Sequence, residues 1–417
     1  MKVLMRCERI LYLSYYYPLD VVKSRGLPGN IASNNRVKRI AGALVSAQHI
    51  VQVATPGICA RCGFTSKLFH GTYSTLDNGI GVTVAPAMVI PFVGALLEPL
   101  LFPIWMLLFL RRSRFDGAII YNYSPSFALI SILLRCLGIP FVAQVEDITQ
   151  PKFSDWRIGN ESRPVQQLVL WFCMKTVAGL SSGLIVPSKR FQFFLPEKKP
   201  CLVLGGCVTD SEWGEDRPIR LQIPIRVLFA GRYLTDDGLD LLIAAIKLLR
   251  SEKQYAEHFV FDCCGTKDYP NELRLLSTAK EDPVIRLHGL LSDDEYRSLL
   301  AETDVALVLQ KVQGRHANLR SPSKAYEFLA GGKLVITTDV GDFALLSGEC
   351  LIMLQHESAE ELVRILVDIT ENPKKYEKIA LAARTFSRRE SSSRAVGKKL
   401  IAFLTQVFSK SQSSSHG

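Results

Sequence analysis

Ser321-Pro322-Ser323-Lys324-Ala325-Tyr326-Glu327-Phe328-Leu329-Ala330-Gly331-Gly332-Lys333, running on into Leu334-Val335-Ile336-Thr337-Thr338, is the stretch that decides the fold of this 417-residue chain. Serine and proline suit a helix start, the Gly-Gly pair suits its end, and the β-branched run beyond reads as a buried parallel strand. The unit is therefore helix, tight turn, strand. The first N–H groups of a helix lack partners and carry the positive end of its dipole, so a start written Ser-Pro-Ser-Lys is a site for a phosphate. Lys324 adds a full charge there. One turn further in, Glu327 is a carboxylate able to accept hydrogen bonds from two neighbouring hydroxyls, such as those of a ribose. The plainer alternative is that Ser321 or Ser323 only caps a core helix and Glu327 is a solvated surface residue.

Upstream, the same alternation of strand and helix recurs. Ile225–Ala230 reads as a strand, Gly231-Arg232-Tyr233-Leu234-Thr235-Asp236-Asp237-Gly238 as the turn into a helix ending near Arg250, and residues 258–264, 284–288, 304–309 and 334–338 as further strands. Ser292-Asp293-Asp294-Glu295 is a capping box. In the first half, residues 9–17, 49–54, 115–121, 140–145 and 183–188 read as strands, with helices over 33–46 and up to Cys136. Helices over 358–385 and 394–408 close the chain. Such alternation predicts parallel sheets covered on both faces, an α/β fold. The length suits two domains: residues 1–208, a linker over 209–222, residues 223–388, a helix over 389–408 and a disordered polar tail over 409–417. No Gly-x-Gly-x-x-Gly follows the first strand, which argues against a dinucleotide redox enzyme.

The net charge of +10 is unevenly distributed, with 22 Lys and Arg against 10 Asp and Glu over residues 1–200 and 28 against 30 over the remainder. A basic first half faces an anionic partner. No zinc-finger, RNA-recognition or basic-zipper pattern is present, so the expectation is no nucleic acid and an anionic membrane surface instead. Residues 85–110 are the most apolar part, but four prolines and Glu98 argue against a spanning helix. Phe102-Pro103-Ile104-Trp105-Met106-Leu107-Leu108-Phe109-Leu110, followed by Arg111-Arg112-Ser113-Arg114, reads either as an interfacial helix with a basic skirt or as a core helix. Ten cysteines are scattered. Cys59 and Cys62 have metal-ligand spacing without a second pair, so reduced thiols in a cytoplasmic protein are expected. The N-terminal apolar run is too short for a signal peptide. Glu146 and Asp147 end a strand where α/β sheets place ligands, or else cap a loop.

The segment Ser-Pro-Ser-Lys-Ala-Tyr-Glu-Phe-Leu-Ala-Gly-Gly-Lys-Leu-Val-Ile resembles the donor-site helix of GT-B glycosyltransferases, specifically the retaining family 4, the group 1 glycosyl transferases. Asn35-Arg36-Val37-Lys38-Arg39-Ile40-Ala41-Gly42-Ala43-Leu44 and the turn 203–208 resemble family elements more loosely. The resemblance implies a GT-B fold, two Rossmann-like domains facing across a cleft. It implies hexosyl-type transfer from a nucleotide-diphosphate sugar to a lipid-linked or polysaccharide acceptor, without metal or other cofactor, at the cytoplasmic face of a membrane. It assigns the ribose to Glu327 and the diphosphate to Gly231, Arg232, Ser323 and Lys324, with Arg232, Lys324 and Glu327 as the catalytic set. His288, Gly289 and Leu290 would line the base, and Gly29, Asn30, Glu146 and Asp147 the acceptor side. Two departures stand out: Asp237 where the family usually has lysine, and Leu319 where it commonly has a second glutamate. They leave room for a catalytically weak partner subunit. A GT-B sugar-nucleotide epimerase is a third reading.

Overall fold

The computed structural model describes residues 8–27, 31–58, 67–76, 78–89, 94–149, 164–192, 199–213, 218–233, 235–255, 257–266, 274–275, 277–279, 284–312, 319 and 321–413. The chain divides into two units. One comprises residues 1–187, 192–207 and 393–417, the other residues 188–191 and 208–392. Gly29, Asn30, Cys59 and Cys62 lie outside the described residues.

The first unit opens with β1 (Arg9–Leu13), α1 (Leu19–Arg25), α2 (Ile31–Ser46) and β2 (Ile50–Thr55). Short strands follow: β3 (Lys67–Phe69), β4 (Thr72–Thr75), β5 (Gly81–Val84) and β6 (Ala87–Val89). Next come α3 (Gly94–Arg112), β7 (Gly117–Tyr121), α4 (Pro125–Cys136), β8 (Phe141–Gln144), α5 (Pro164–Leu180), β9 (Gly183–Val186) and, after the single turn α6 (Lys189–Gln192), nearly all of which belongs to the second unit, β10 (Cys201–Val203). The sheet order is β10-β9-β8-β7-β1-β2-β5-β4, parallel except for β4, which pairs antiparallel with β5. The apolar runs at its centre are why: β7 and β8 are buried along their whole length, as strands covered on both faces must be. β3 and β6 form a separate antiparallel ribbon.

The second unit holds β11 (Ile225–Arg232), α7 (Leu239–Ser251), β12 (Phe259–Thr266), β13 (Ile285–Gly289), α8 (Asp293–Glu302), β14 (Val305–Val308), α9 (Ser323–Ala330), β15 (Leu334–Thr337), β16 (Ile352–Met353), α10 (Ala359–Glu371) and α11 (Pro373–Glu390). Its sheet is wholly parallel, in the order β13-β12-β11-β14-β15-β16. One face packs Val227, Phe229, Phe261 and Leu307 against α7 and α10. The other packs Leu228, Cys264, Ala306 and Val308 against α8 and α9. The expected capping box is present: Ser292 Oγ accepts from the Glu295 N–H, and Glu295 Oε2 accepts from the Ser292 N–H at 2.8 Å. The last helix, α12 (Ser393–Ser413), belongs to the first unit and packs on α2.

Several elements differ from the sequence reading. α1 and the ribbon strands lie in stretches read as loop or left unassigned, and so does α5, whose apolar residues are too continuous to give a helical period. The segment 358–385 is two helices, because Pro373 cannot donate the N–H that a continuous helix needs, and it starts α11 instead. Pro99 and Pro103 sit inside α3 without ending it. α12 continues to Ser413, five residues beyond the expected end, so Lys410–Ser413 are helical and not a disordered tail. The presumed linker packs within the second unit, where Thr209 caps a 3-10 turn over Asp210–Glu212 and Leu221 is buried in the core. Among the described residues, no helix is long and apolar enough to cross a membrane.

Candidate active site

In the second unit the chain runs outward from β11 through β12 to β13, then returns to the other side of β11 as β14. The strand order reverses there. At such a switch point the loops at the carboxyl ends of the two strands diverge, and an α/β sheet receives its ligand. β11 ends on Gly231 and Arg232, and the loop after it holds the 3-10 turn Thr235–Asp237; the loop after β14 leads to α9. The two loops are tied together, since the Lys311 N–H donates to the Asp236 carbonyl at 2.9 Å. Gly238 is pressed against the end of β14 with φ of 87°, and a Cβ there would lie 2.1 Å from the Leu309 carbonyl oxygen. No other residue type fits. Gly238 is thus the cap of α7.

α9 starts on Pro322 with no side chain capping it. Ser321 Oγ turns instead to the Tyr326 hydroxyl, at 3.3 Å. The Ala325 N–H turns back to the Pro322 carbonyl at 3.1 Å, and among the described residues the Ser323 and Lys324 N–H groups have no acceptor, the arrangement that suits an anion. Lys324 is half-buried, and its charge is felt by Cys264 near the end of β12. Burial pushes that thiol up to about 11, with Lys324 acting in the opposite direction. α9 packs on the face of the sheet that carries Cys264, and β11, which ends near Gly231, is the neighbour of β12. Gly231 and Gly265 pair across β11 and β12 so closely that a Cβ on Gly265 would lie 1.6 Å from the Gly231 carbonyl oxygen, whereas a Cβ on Gly231 would meet open space. Glu327 is buried, at 8% exposure, which overturns the solvated-surface alternative. The helix ends as expected on the two glycines, whose N–H groups return to the Glu327 and Leu329 carbonyls.

His288 is the extra residue of a bulge between β12 and β13. Its Nε2 lies 2.7 Å from Oδ1 of the buried Asp262, whose Oδ2 accepts from Arg226 Nη2 and Nε at 2.8 and 3.0 Å. The imidazole is thus engaged inward, and Gly289 and the exposed Leu290 are the part of that loop turned outward. Asp262 and Arg226 were not read from the sequence. A lone aspartate inside the apolar run Phe259–Cys264 was the available signal, since a buried carboxylate needs partners.

The first unit has its own polar edge. Tyr12 donates to Gln144 Oε1 at 2.6 Å, Gln144 Nε2 donates to Glu146 Oε1 at 2.6 Å, and Arg36 Nε donates to the same oxygen at 3.0 Å. Arg36 also donates to the carbonyls of Leu204 and Gly205. Burial drives the Tyr12 and Tyr121 hydroxyls well above their ordinary range, with Glu146 adding to both. Glu146 is therefore anchored inward, and the exposed member of the expected pair is Asp147. Arg36 shares the apolar stripe of α2 with Ile40 and Leu44, one helical turn apart, and a cation on such a stripe was the legible sign of a buried partner.

Residues 224–372 match the family model described as Glycosyl transferases group 1. Solved structures match along nearly the whole chain. Sucrose-phosphate synthase from Thermosynechococcus elongatus is 13% identical over 97% of this chain and 100% of its own, with a TM-score of 0.68. HepE from Anabaena, solved with UDP, is 14% identical over 96% and 100%, with a TM-score of 0.63. The fold is GT-B. WaaG, a glycosyltransferase involved in lipopolysaccharide biosynthesis, shares this GT-B fold at 15% identity over 95% and 99%, with a TM-score of 0.58. No curated protein matches the chain in sequence. The matched family segment begins one residue before β11 and contains Gly231, Arg232, His288, Ser323, Lys324 and Glu327.

Proposed function

We propose that the chain is a retaining glycosyltransferase of the family 4 type, moving a hexosyl group from a nucleotide-diphosphate sugar to a lipid-linked or saccharide acceptor. The observation that carries this is the uncapped start of α9 beside Lys324, with Glu327 buried one turn further in, inside the segment that matches the group 1 family. Arg232, Lys324, Ser323 and the backbone at Gly231 hold the diphosphate, Glu327 the ribose, and Gly289 and Leu290 the base. His288 backs that loop through Asp262. In the reaction the bond from the sugar's anomeric carbon to the diphosphate oxygen breaks, and a bond from that carbon to the acceptor oxygen forms on the same face. The acceptor proton passes to the leaving phosphate. The extra negative charge on the leaving diphosphate needs cations and N–H donors, not a base, and needs no metal where these suffice.

The acceptor lies at the edge of the first unit, where Asp147 faces outward, and the protein works peripherally at the cytoplasmic face of a membrane. HepE has been solved with UDP, and WaaG belongs to lipopolysaccharide synthesis, which supports a nucleotide-sugar donor and a lipid-linked acceptor. A second reading, a catalytically weak partner subunit, is favoured by Leu319, an apolar residue at 2% exposure where a carboxylate would contact the donor sugar.

A thermal-shift screen against UDP, GDP, ADP and their sugars, followed by hydrolysis or transfer with the nucleotide that binds, tests both readings. A stabilising nucleotide sugar that is turned over supports the transferase. Stabilisation without turnover supports the partner subunit, and no stabilisation by any of them overturns the donor site.

A further inference from the structure

We infer that α3, α4 and α5 together form a single docking face for an anionic lipid surface, a broader surface than the Trp105 segment alone. Trp105 is half-buried and stacked between Phe102 and Phe109, at 5.8 and 5.2 Å between ring centres, so it is not the exposed anchor of this helix. The outward stripe of α3 is Leu100, Ile104 and Leu108, each at least half exposed and each one turn from the next. α4 packs between α3 and α5. It presents Leu129 and Ile132, and α5 presents Val165, Val169 and Phe172, again at helical spacing. The β3–β6 ribbon packs on α3 and extends the surface with Leu68 paired directly to Met88, both exposed.

A helix that faces water carries polar residues outward. These three do the reverse. Contiguous exposed apolar surface of this kind marks an interaction site. The choice of occupant follows from charge. The three helices contain one carboxylate, Glu98, against Arg111, Arg112, Arg135 and Lys175, with Arg114 just beyond α3. α4 joins β7 to β8 and α5 joins β8 to β9, which are parallel neighbours, so both helices run against the strands; α3 leads into β7 in the same sense. Their C-terminal ends therefore share one edge, and the arginines collect there beside the apolar stripes. Apolar side chains with a cationic border are what a bilayer interface with anionic headgroups accepts. A second copy of the chain would bring the same surplus of cations to the contact.

This inference rests on the membrane-side reading above and is separable from the donor reading. The full-length protein is sedimented with phosphatidylcholine vesicles with and without about 30 mol% phosphatidylglycerol, at low salt and at about 0.5 M salt. The wild type is expected to pellet with the anionic vesicles and to retain part of its binding in salt, since apolar insertion is not screened. Ile132→Asn on α4 and Phe172→Ser on α5 are each expected to lower binding about tenfold, as each loses one inserted side chain. Both positions are exposed, so the melting temperature should be unchanged. Arg111→Glu with Arg112→Glu and Arg114→Glu should remove the low-salt component. Wild-type binding by the α4 and α5 variants, with loss only on Ile104→Asn, would overturn the three-helix face and leave α3 acting alone. No vesicle binding at all overturns it too, and light scattering then reports whether a dimer broken by Phe172→Ser covers the surface. The nucleotide thermal shift is measured on the same samples: a shift without vesicle binding sinks only the face, and vesicle binding without a shift sinks only the donor site.

Discussion

At the strand ends of the first unit, a cation and a carboxylate meet below the surface. Arg36 is 6% exposed, and its guanidinium is divided between Glu146 and two backbone carbonyls. At the strand ends of the second unit, Lys324 stands half-exposed beside an uncapped helix start, and no ion pair joins it to another described residue. The two edges have the same position in the same kind of sheet, yet one neutralises its charge internally, while at the other neither Lys324 nor the Ser323 N–H has a partner among the described residues. On the function proposed above, the comparison separates a scaffold from a receptor. Sequence alone suggested the opposite emphasis for Glu146, because a carboxylate at a strand end looks alike whether it turns inward or outward.

The strongest way to break this comparison is to remove Arg36. Arg36→Ala would leave Glu146, 16% exposed, without its cation, a loss of about 3–5 kcal/mol for a broken, largely buried pair. Urea denaturation of the full chain measures it. Replacing both partners, Arg36→Met with Glu146→Leu, should recover a large part of that loss, since an apolar pair of similar volume leaves no charge stranded. A cost below about 1 kcal/mol for Arg36→Ala would put the pair in the class of surface ion pairs, and the contrast between the edges would fail.

Lys324→Ala tests the receptor side. It breaks no ion pair among the described residues, so the fold should keep its melting temperature, but turnover with the identified donor should fall about 10²–10³-fold, as for the loss of one transition-state donor. Arg232→Ala should act in the same direction and by a similar factor. Glu327→Ala should weaken nucleotide binding by about 1.5–3 kcal/mol, read by titration calorimetry, if the carboxylate accepts from a ribose hydroxyl. Unchanged affinity in a folded Glu327→Ala protein would remove the ribose role. Asp237→Lys sharpens the comparison further, because it adds the family's usual cation near the same edge. Little change in turnover means that Lys324 already supplies the charge; a large gain means that the natural site is impaired, and favours the partner-subunit reading.

The parts legible in the sequence were those set by local chemistry. α9, its glycine stop, β15, the capping box before α8 and the alternation that makes both sheets parallel all follow from period, cap and turn residues. What escaped were features set by distant contacts. Glu146 turns inward because Arg36, 110 positions away, is brought to it by the pairing of β1 with β7 and β7 with β8. His288 is engaged by Asp262 only because β12 and β13 pair with a bulge. The apolar face of α3 to α5 was half visible. The arginines and the hydrophobic run of α3 could be read directly, but which of its residues face outward depends on packing against α4 and the sheet, so Ile104 and Leu108 are more exposed than Trp105.

The smallest effect concerns a pair that belongs to neither edge and serves as the surface reference for both. Asp368 on α10 accepts from Lys375 Nζ at 2.7 Å and from the Tyr376 hydroxyl, and these bonds, Lys375 first, hold its carboxyl at about 2 against an ordinary value of 3.8. A carboxyl with a depressed value stabilises the fold while it is ionised, so its contribution is complete above the unfolded value near 3.8 and is lost as pH falls from there toward 2. The side chain is 33% exposed and its lysine partner 59% exposed, so solvent screening keeps the contribution to about 1 kcal/mol or less. Asp368→Asn should therefore lower the urea midpoint slightly at about pH 6, and the gap from wild type should close as the pH approaches about 3. The Arg36→Ala gap at about pH 6 should be several times larger, because there the carboxylate left behind is more sheltered, at 16% exposure. Equal gaps for the two variants would mean that the Arg36 and Glu146 pair is no more sheltered than a surface contact. A gap for Asp368→Asn that widens on acidification would show that its carboxyl is favoured in the protonated form, against the direction its donors impose.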